Sequence, residues 1–219
     1  RNFGLDPDEI TLPEALGKLG YTHRGIFGKW HLGHNHTKWH PNNQGFTHFH
    51  GHYNGAIDYF TLSRENERDW HLNKKSNPET GYSTDLIASA ASNFILKHSK
   101  EEEPFFCYVP FNSPHSPFQA PEKYIKKFQH LAGPNSKGKN KSLRQVVAAM
   151  VSCMDDGIGK ILKAIDTSGE ADNTIVWFFS DNGGIGGLQK NNLPLRGNKL
   201  DAWEGGVRVA AAIRWPNGG

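Results

Sequence analysis

Thr174-Ile175-Val176-Trp177-Phe178-Phe179-Ser180-Asp181-Asn182-Gly183-Gly184 is the stretch on which the fold turns. Its first six residues carry no charge and are almost all apolar. They are too few for a helix and too continuous for a strand with one wet face, so they predict a strand buried on both faces. The polar run behind them ends the strand sharply. An acid and an amide therefore stand at its carboxyl end, over two glycines that let the backbone turn.

Three more segments read in the same way. Residues 21–27 form a short strand that runs into Gly28-Lys29-Trp30-His31-Leu32-Gly33. Pro104-Phe105-Phe106-Cys107-Tyr108-Val109 runs into Asn112-Ser113-Pro114-His115-Ser116-Pro117, and residues 207–215 close the chain with a further strand. Between them lie helical patterns. Thr11-Leu12-Pro13-Glu14 has capping-box spacing, Gly20 terminates, and Leu12, Ala15, Leu16 and Leu19 share a face. A second helix begins at Ser83, with Leu86, Ile87, Ala90, Phe94 and Ile95 at helical spacing. A long third helix covers about residues 142–166, where Gly157 and Gly159 are expected to allow close packing. The polar segment 61–81 reads as a surface excursion.

Helices alternating with continuous apolar strands predict an α/β fold, a mostly parallel sheet sandwiched by helices. Ligands of such sheets bind beyond the carboxyl ends of the strands. Lys29 and His31, His115, and Asp181 with Asn182 all stand there, so one cluster is expected.

Composition narrows the function classes. The 219 residues suit one large or two small domains. A net charge of +3, with 25 basic and 22 acidic residues, implies no large single-sign field. No basic stripe with interleaved aromatics points to nucleic acid; Lys137, Lys139 and Lys141 lie among small polar residues and read as a solvated loop. No run approaches the roughly 18 apolar residues of a membrane-spanning helix. Cys107 and Cys153 lie in apolar stretches outside any CxxC pair and read as buried free thiols. The sequence opens without Met and without a signal peptide, which suggests a fragment or a processed chain.

Each strand-exit loop offers chemistry and a plainer alternative. The oxygens of Asp181 and Asn182 suit a hard cation, Ca²⁺ or Mg²⁺, although Asp-Asn-Gly also makes ordinary turns, and calcium needs about six to eight oxygens in all. Lys29 could neutralise an oxyanion and His31 could move a proton, or both could be solvated beside a packed Trp30. His115, between Pro114 and Pro117, could protonate a leaving alkoxide, or be a loop histidine bonded to backbone carbonyls. Lys199 is a second candidate cation for a substrate anion, while Arg196, Glu204 and Arg208 read as an ion network. His23, His31, His34, His36, His40, His48, His50 and His52 crowd the first quarter of the chain. A zinc site from His31, His34, His36 and His40 is disfavoured, for want of a cysteine partner or an HExxH pattern.

Taken in order, GKWHLG (28–33), HPNNQGF (40–46), YNGAIDYF (53–60), SPHSPFQAP (113–121), MDDGIGKIL (154–162), SDNGG (180–184) and PLRGNKLDAWEGGVR (194–208) resemble the type I sulfatases, most closely the arylsulfatase B-like branch. The resemblance covers essentially the whole chain. It implies an alkaline-phosphatase-like core and hydrolysis of sulfate esters, on sulfated small molecules or carbohydrates, through a covalent sulfo-enzyme on a formylglycine. Asp181 and Asn182 match calcium ligands. Lys29 matches the lysine that contacts nucleophile and sulfate, and His31 the histidine beside the formylglycine hydrate. His115 and Lys199 match the residues that bind sulfate and assist the leaving group. The resemblance also implies a formylglycine-generating enzyme as partner and a secreted, periplasmic or lysosomal setting.

Two elements of the family pattern are not matched. The formylglycine precursor lies in C/S-x-P-x-R, but Cys107 precedes Val109 by two places, Cys153 precedes Asp155, and Ser76-Asn77-Pro78 ends in Thr80. The family's Asp-Asp calcium pair also finds no strand-end match, because Asp155-Asp156 falls inside the long helix. Residues 1–219 are therefore expected to be a partial sulfatase catalytic domain, lacking the nucleophile segment and the C-terminal subdomain and inactive alone. The rivals are a phosphodiesterase or phosphonate hydrolase of the same superfamily, and a sulfatase-like domain that binds sulfated glycans without cleaving them.

Overall fold

Thr11 and Glu14 start the first helix, α1 (Leu12–Lys18), by the reciprocal pair their spacing predicts. Thr11 Oγ1 accepts from the Glu14 N–H, and the Glu14 carboxylate accepts from the Thr11 N–H at 2.8 Å. Gly20 follows at φ 90° as the stop. The apolar face is not the anchor, however: Leu12 and Leu19 are exposed and Pro13 is buried. A helix of two turns is held instead by its capped end, where Thr11 Oγ1 also donates to Gln44 O at 2.9 Å.

The computed structural model describes residues 3–133, 142–186, 188 and 191–218; the lysine-rich loop read at 137–141 lies outside them. The chain divides into two units, Arg1–Ser168 and Gly169–Gly219. In the first, β1 (His23–Lys29) and β2 (His48–His52) are followed by the short strands β3 (Ser63–Arg64), β4 (Glu67–Arg68), β5 (His71–Leu72) and β6 (Lys75–Ser76). Then come α2 (Ser83–His98), β7 (Phe105–Tyr108), α3 (Glu122–Lys127) and α4 (Leu143–Ser168).

The main sheet has the order β6-β5-β2-β1-β7. β1 runs parallel to both β2 and β7, whereas β5 and β6 join antiparallel. The fold is α/β with a mixed sheet flanked by helices, parallel only across β2, β1 and β7, with β7 at one edge. The antiparallel edge arises from the segment read as a surface excursion. Leu62 and Trp70 in it are completely buried, but two apolar residues among charges set no period that a sequence can show.

Alternation along β1 places its side chains on opposite faces. Phe27 packs with Ile57, Leu62, Trp70, Ile87, Ala91 and Phe94, so α2 covers that face. Ile26 packs on the other with Trp30, Phe46 and Phe49. Fully burying each large side chain of this kind contributes about 1.5–3 kcal/mol. α4 lies on α2 where Gly157 faces Ala88: a Cβ there would stand 3.1 Å from the alanine methyl. Gly159 has nothing within 4 Å and takes no part in that packing. Both cysteines are free, Cys153 buried and Cys107 partly so.

The second unit holds β8 (Val176–Phe179), α5 (Glu204–Val207) and β9 (Ala211–Arg214). β8 and β9 pair antiparallel, from Val176↔Arg214 to Phe179↔Ala211, in a two-stranded sheet. The stretch expected to be a strand buried on both faces is thus the partner of an antiparallel strand, with Trp177, Phe178 and Phe179 exposed. A run of apolar residues encodes a strand but not the direction of its neighbour. The closing strand is also shorter than its apolar run, because Val207 ends α5 instead. Among the described residues no helix is long and apolar enough to cross a membrane.

Candidate active site

The carboxyl end of β1 is bound to the chain leaving β7 by a glycine. Gly28 has φ 129°, and a Cβ on it would lie 2.2 Å from Pro110 O. This close approach lets the Lys29 N–H donate to Pro110 O at 2.9 Å, two residues before the stretch that carries His115. The next two N–H groups, of Trp30 and His31, donate to His52 O and Tyr53 O, each at 2.9 Å. Trp30 is buried and its Nε1 donates to Trp39 O at 2.9 Å. The Gly28–Gly33 loop is therefore fixed, not a solvated excursion. His31 sits at φ 54°, with its ring against Gly55, where a Cβ would come within 2.5 Å of Cε1.

Asp69 secures the other side of this loop. It is buried, and its carboxylate accepts from the Tyr53 and Asn54 N–H groups, each at 2.9 Å, and from Asn54 Nδ2 at 2.8 Å. Burial alone would raise its pKa. Hydrogen bonds from His71, Tyr53 and Asn54 outweigh that and hold it below the ordinary carboxylate range. Behind Lys29 in the sheet register lies His52, fully buried and pushed down to about 4 by burial. Its Nδ1 donates to Asn54 O at 2.8 Å.

His115 stands on a loop pinned from three directions. The buried Tyr59 hydroxyl donates to Asn112 O at 2.7 Å and His115 O at 2.8 Å. Asn112 Nδ2 donates to Ser83 Oγ at the start of α2, and Ser113 Oγ to Met150 O in α4. His115 Nδ1 lies 2.8 Å from Ser116 O; a carbonyl can only accept, so Nδ1 carries a hydrogen and the contact leaves Nε2 for chemistry. His31 has a lowered pKa, first through partial burial and then through the charges of Lys29, Arg64, His115 and His34. Lys29, His31 and His115 thus share one electrostatic neighbourhood, in which His31 is neutral at pH 7.

Among the described residues, His34, His36 and His40 form no metal-binding group with His31. His34 stacks on Tyr53, His36 meets Trp39 edge-on, and His40 is bonded to Asn73 O.

In the second unit the Ser180–Gly184 loop is set by backbone approach. A Cβ on Gly183 would lie 1.8 Å from Gly205 O, and the Gly183 N–H donates to Gly206 O at 2.9 Å. Asn192 ties the loops together: its Oδ1 accepts from the Gly184 N–H, and its Nδ2 donates to Gly184 O and Gly197 O. The Lys199 N–H donates to Gly184 O at 2.9 Å, so Lys199 is anchored beside the Asp181-Asn182 turn. Asp181 is exposed and has no ion pair among the described residues. Asn182 Nδ2 donates to Gly183 O, which leaves Oδ1 available to a cation. Arg196 lies over the Trp203 ring at 3.6 Å, and among the described residues the ion pair of this segment is Glu204 with Arg208.

Tyr59, Asp69, Gly55 and Asn192 position this chemistry, and the sequence reading did not single them out. Only the position of Tyr59 and Gly55 within the YNGAIDYF motif could have signalled them.

The Sulfatase family model matches residues 3–219. Arylsulfatase J of Mus musculus is 33% identical over 226 residues, which cover 97% of this chain and 35% of that protein. N-acetylgalactosamine-6-sulfatase of Homo sapiens is 33% identical over 233 residues, covering 97% and 41%. Among solved structures, Ps i-CgsB in complex with k-i-k-neocarrahexaose superposes with a TM-score of 0.87 at 31% identity, over 99% of this chain and 49% of that one. PsFucS1 sulfatase from Pseudoalteromonas sp., at 23% identity and a TM-score of 0.72, shares the fold. The chain spans less than half the length of these relatives. With strand-exit loops of this construction and a match along nearly its whole length, the chain belongs to the sulfatase family.

Proposed function

We propose that this chain supplies the sulfate-binding and leaving-group residues of a sulfuric ester hydrolase acting on sulfated sugars. The observation that supports this most is the fixed juxtaposition of the β1 and β7 exits, which gives Lys29, His31 and His115 a common neighbourhood. A sugar substrate is supported by the relative named N-acetylgalactosamine-6-sulfatase and by Ps i-CgsB, whose structure holds k-i-k-neocarrahexaose.

Lys29 in the first unit and Lys199 in the second each carry an ammonium group suited to a sulfate oxygen, and a fixed charge of that kind contributes roughly 10²–10³ in rate. His115, with Nδ1 committed to Ser116 O, uses Nε2 to carry the proton that the departing alkoxide needs. His31, neutral at pH 7, accepts a proton in the step that frees sulfate. The family generally binds a metal ion. Asp181 and Asn182 fit one by offering hard oxygens, and we assign it as calcium, which would polarise the sulfate there. Neither cysteine stands in a C-x-P-x-R pattern, and burial pushes both thiols up to about 12, away from a reactive thiolate. The proposal therefore includes the family's formylglycine, and its generating enzyme as a partner.

The test is hydrolysis of 4-nitrophenyl sulfate by the full-length, modified protein. Turnover should fall roughly 10²–10³-fold on Lys199→Ala and measurably on His115→Ala. Unchanged turnover in both variants overturns the assignment.

A further inference from the structure

Two imidazoles and a carboxylate meet at the end of β1 opposite to Lys29 and the loop that bears His31. His23 opens β1, His98 closes α2, and Glu101 lies in the turn that follows. His98 Nδ1 is 3.1 Å from Glu101 Oε2, and His23 Nε2 contacts the same oxygen. The two rings stack with centroids 3.9 Å apart, and the buried His98 packs on Phe94 at 4.5 Å. The three donor atoms lie within 4.8 Å of one another.

We propose that His23, His98 and Glu101 form a site for a divalent transition metal, zinc foremost. Two nitrogens and one oxygen suit zinc, cobalt or nickel and do not suit calcium, which takes oxygens throughout. Tetrahedral zinc with bonds of about 2.0–2.2 Å spaces its ligand atoms about 3.3 Å apart, close to the present His98–Glu101 separation. Both ring nitrogens already approach one carboxylate oxygen, and His98 is hydrogen-bonded to it. One ion of charge +2 replaces the hydrogen of that bond. The last carbonyls of the sixteen-residue α2 carry partial negative charge and favour a cation at this end. Glu101, with a third of its side chain exposed, can swing outward as the ion enters and leave the fourth position to water. Bound there, the metal ties the start of β1 to the end of α2.

Zn²⁺ titrated by calorimetry into the intact protein, in saturating Ca²⁺, tests this. One ion per chain should bind, and Glu101→Gln and His23→Gln should each weaken it about tenfold or more, at least what loss of an outer hydrogen bond costs a zinc site. Glu101 is exposed, so its replacement leaves the fold intact. Absence of zinc uptake, or equal affinity in both variants and the parent, overturns the proposal.

Discussion

The two units hold their site residues by different means. In the first, the loops that bear Lys29, His31 and His115 rest on buried aromatic side chains, Trp30, Tyr59 and Phe27, and on the buried carboxylate of Asp69. In the second, the strands are largely exposed, and the loops that bear Asp181, Asn182 and Lys199 are held by hydrogen bonds of the Asn192 side chain and by close backbone approach at the glycines 183, 205 and 206. A loop seated on a core owes its position to burial, which is strong and non-directional. A loop held by amides owes it to directed bonds, each of modest net worth.

That contrast predicts unequal costs. Trp30→Ala should lower stability by about 3–5 kcal/mol, as large-to-small changes in a packed core do. Asn192→Ala should cost about 1–3 kcal/mol through unpaired loop groups, and should weaken calcium binding more than its stability cost suggests. Thermal denaturation of both variants, with calcium titration of the second, checks the pair. Equal losses would break the contrast.

Acid should act on the first unit. His48 and His52 are pushed down to about 4 by burial, below the ordinary histidine value near 6.5. The unfolded chain therefore binds protons that the folded chain refuses, and stability falls as pH drops from about 6.5 towards 4. Asp69, held low, contributes stability above its unfolded value near 3.9 that is lost below it. A melting temperature that declines over pH 6.5–4, and declines less in His52→Gln, is the expected result.

Local patterns were legible in the sequence. The Thr11/Glu14 capping box, the apolar periods of α2 and α4, and polar residues placed directly behind apolar strands each act within a few residues. They located Lys29, His31, His115, Asp181 and Asn182. What the sequence concealed depends on residues far apart along the chain. Trp70 and Leu62 are isolated apolar residues in a charged segment, buried because the fold brings them against Phe27, Ile57 and α2. The apolar runs around β8 and β9 do not encode their antiparallel pairing. The clamps at Asp69 and Asn192, and the meeting of His23 with His98 and Glu101, exist only once the chain has folded.

The central claim is that His115 supplies the proton to the departing sugar oxygen in a sulfate ester hydrolase. Its most direct test is the dependence of kcat/KM on leaving-group basicity in the full-length protein and in His115→Ala. The account predicts a loss that is small for 4-nitrophenyl sulfate and grows steeply towards sugar sulfates, whose alkoxides need a proton to leave. A loss of the same factor on every substrate would contradict it.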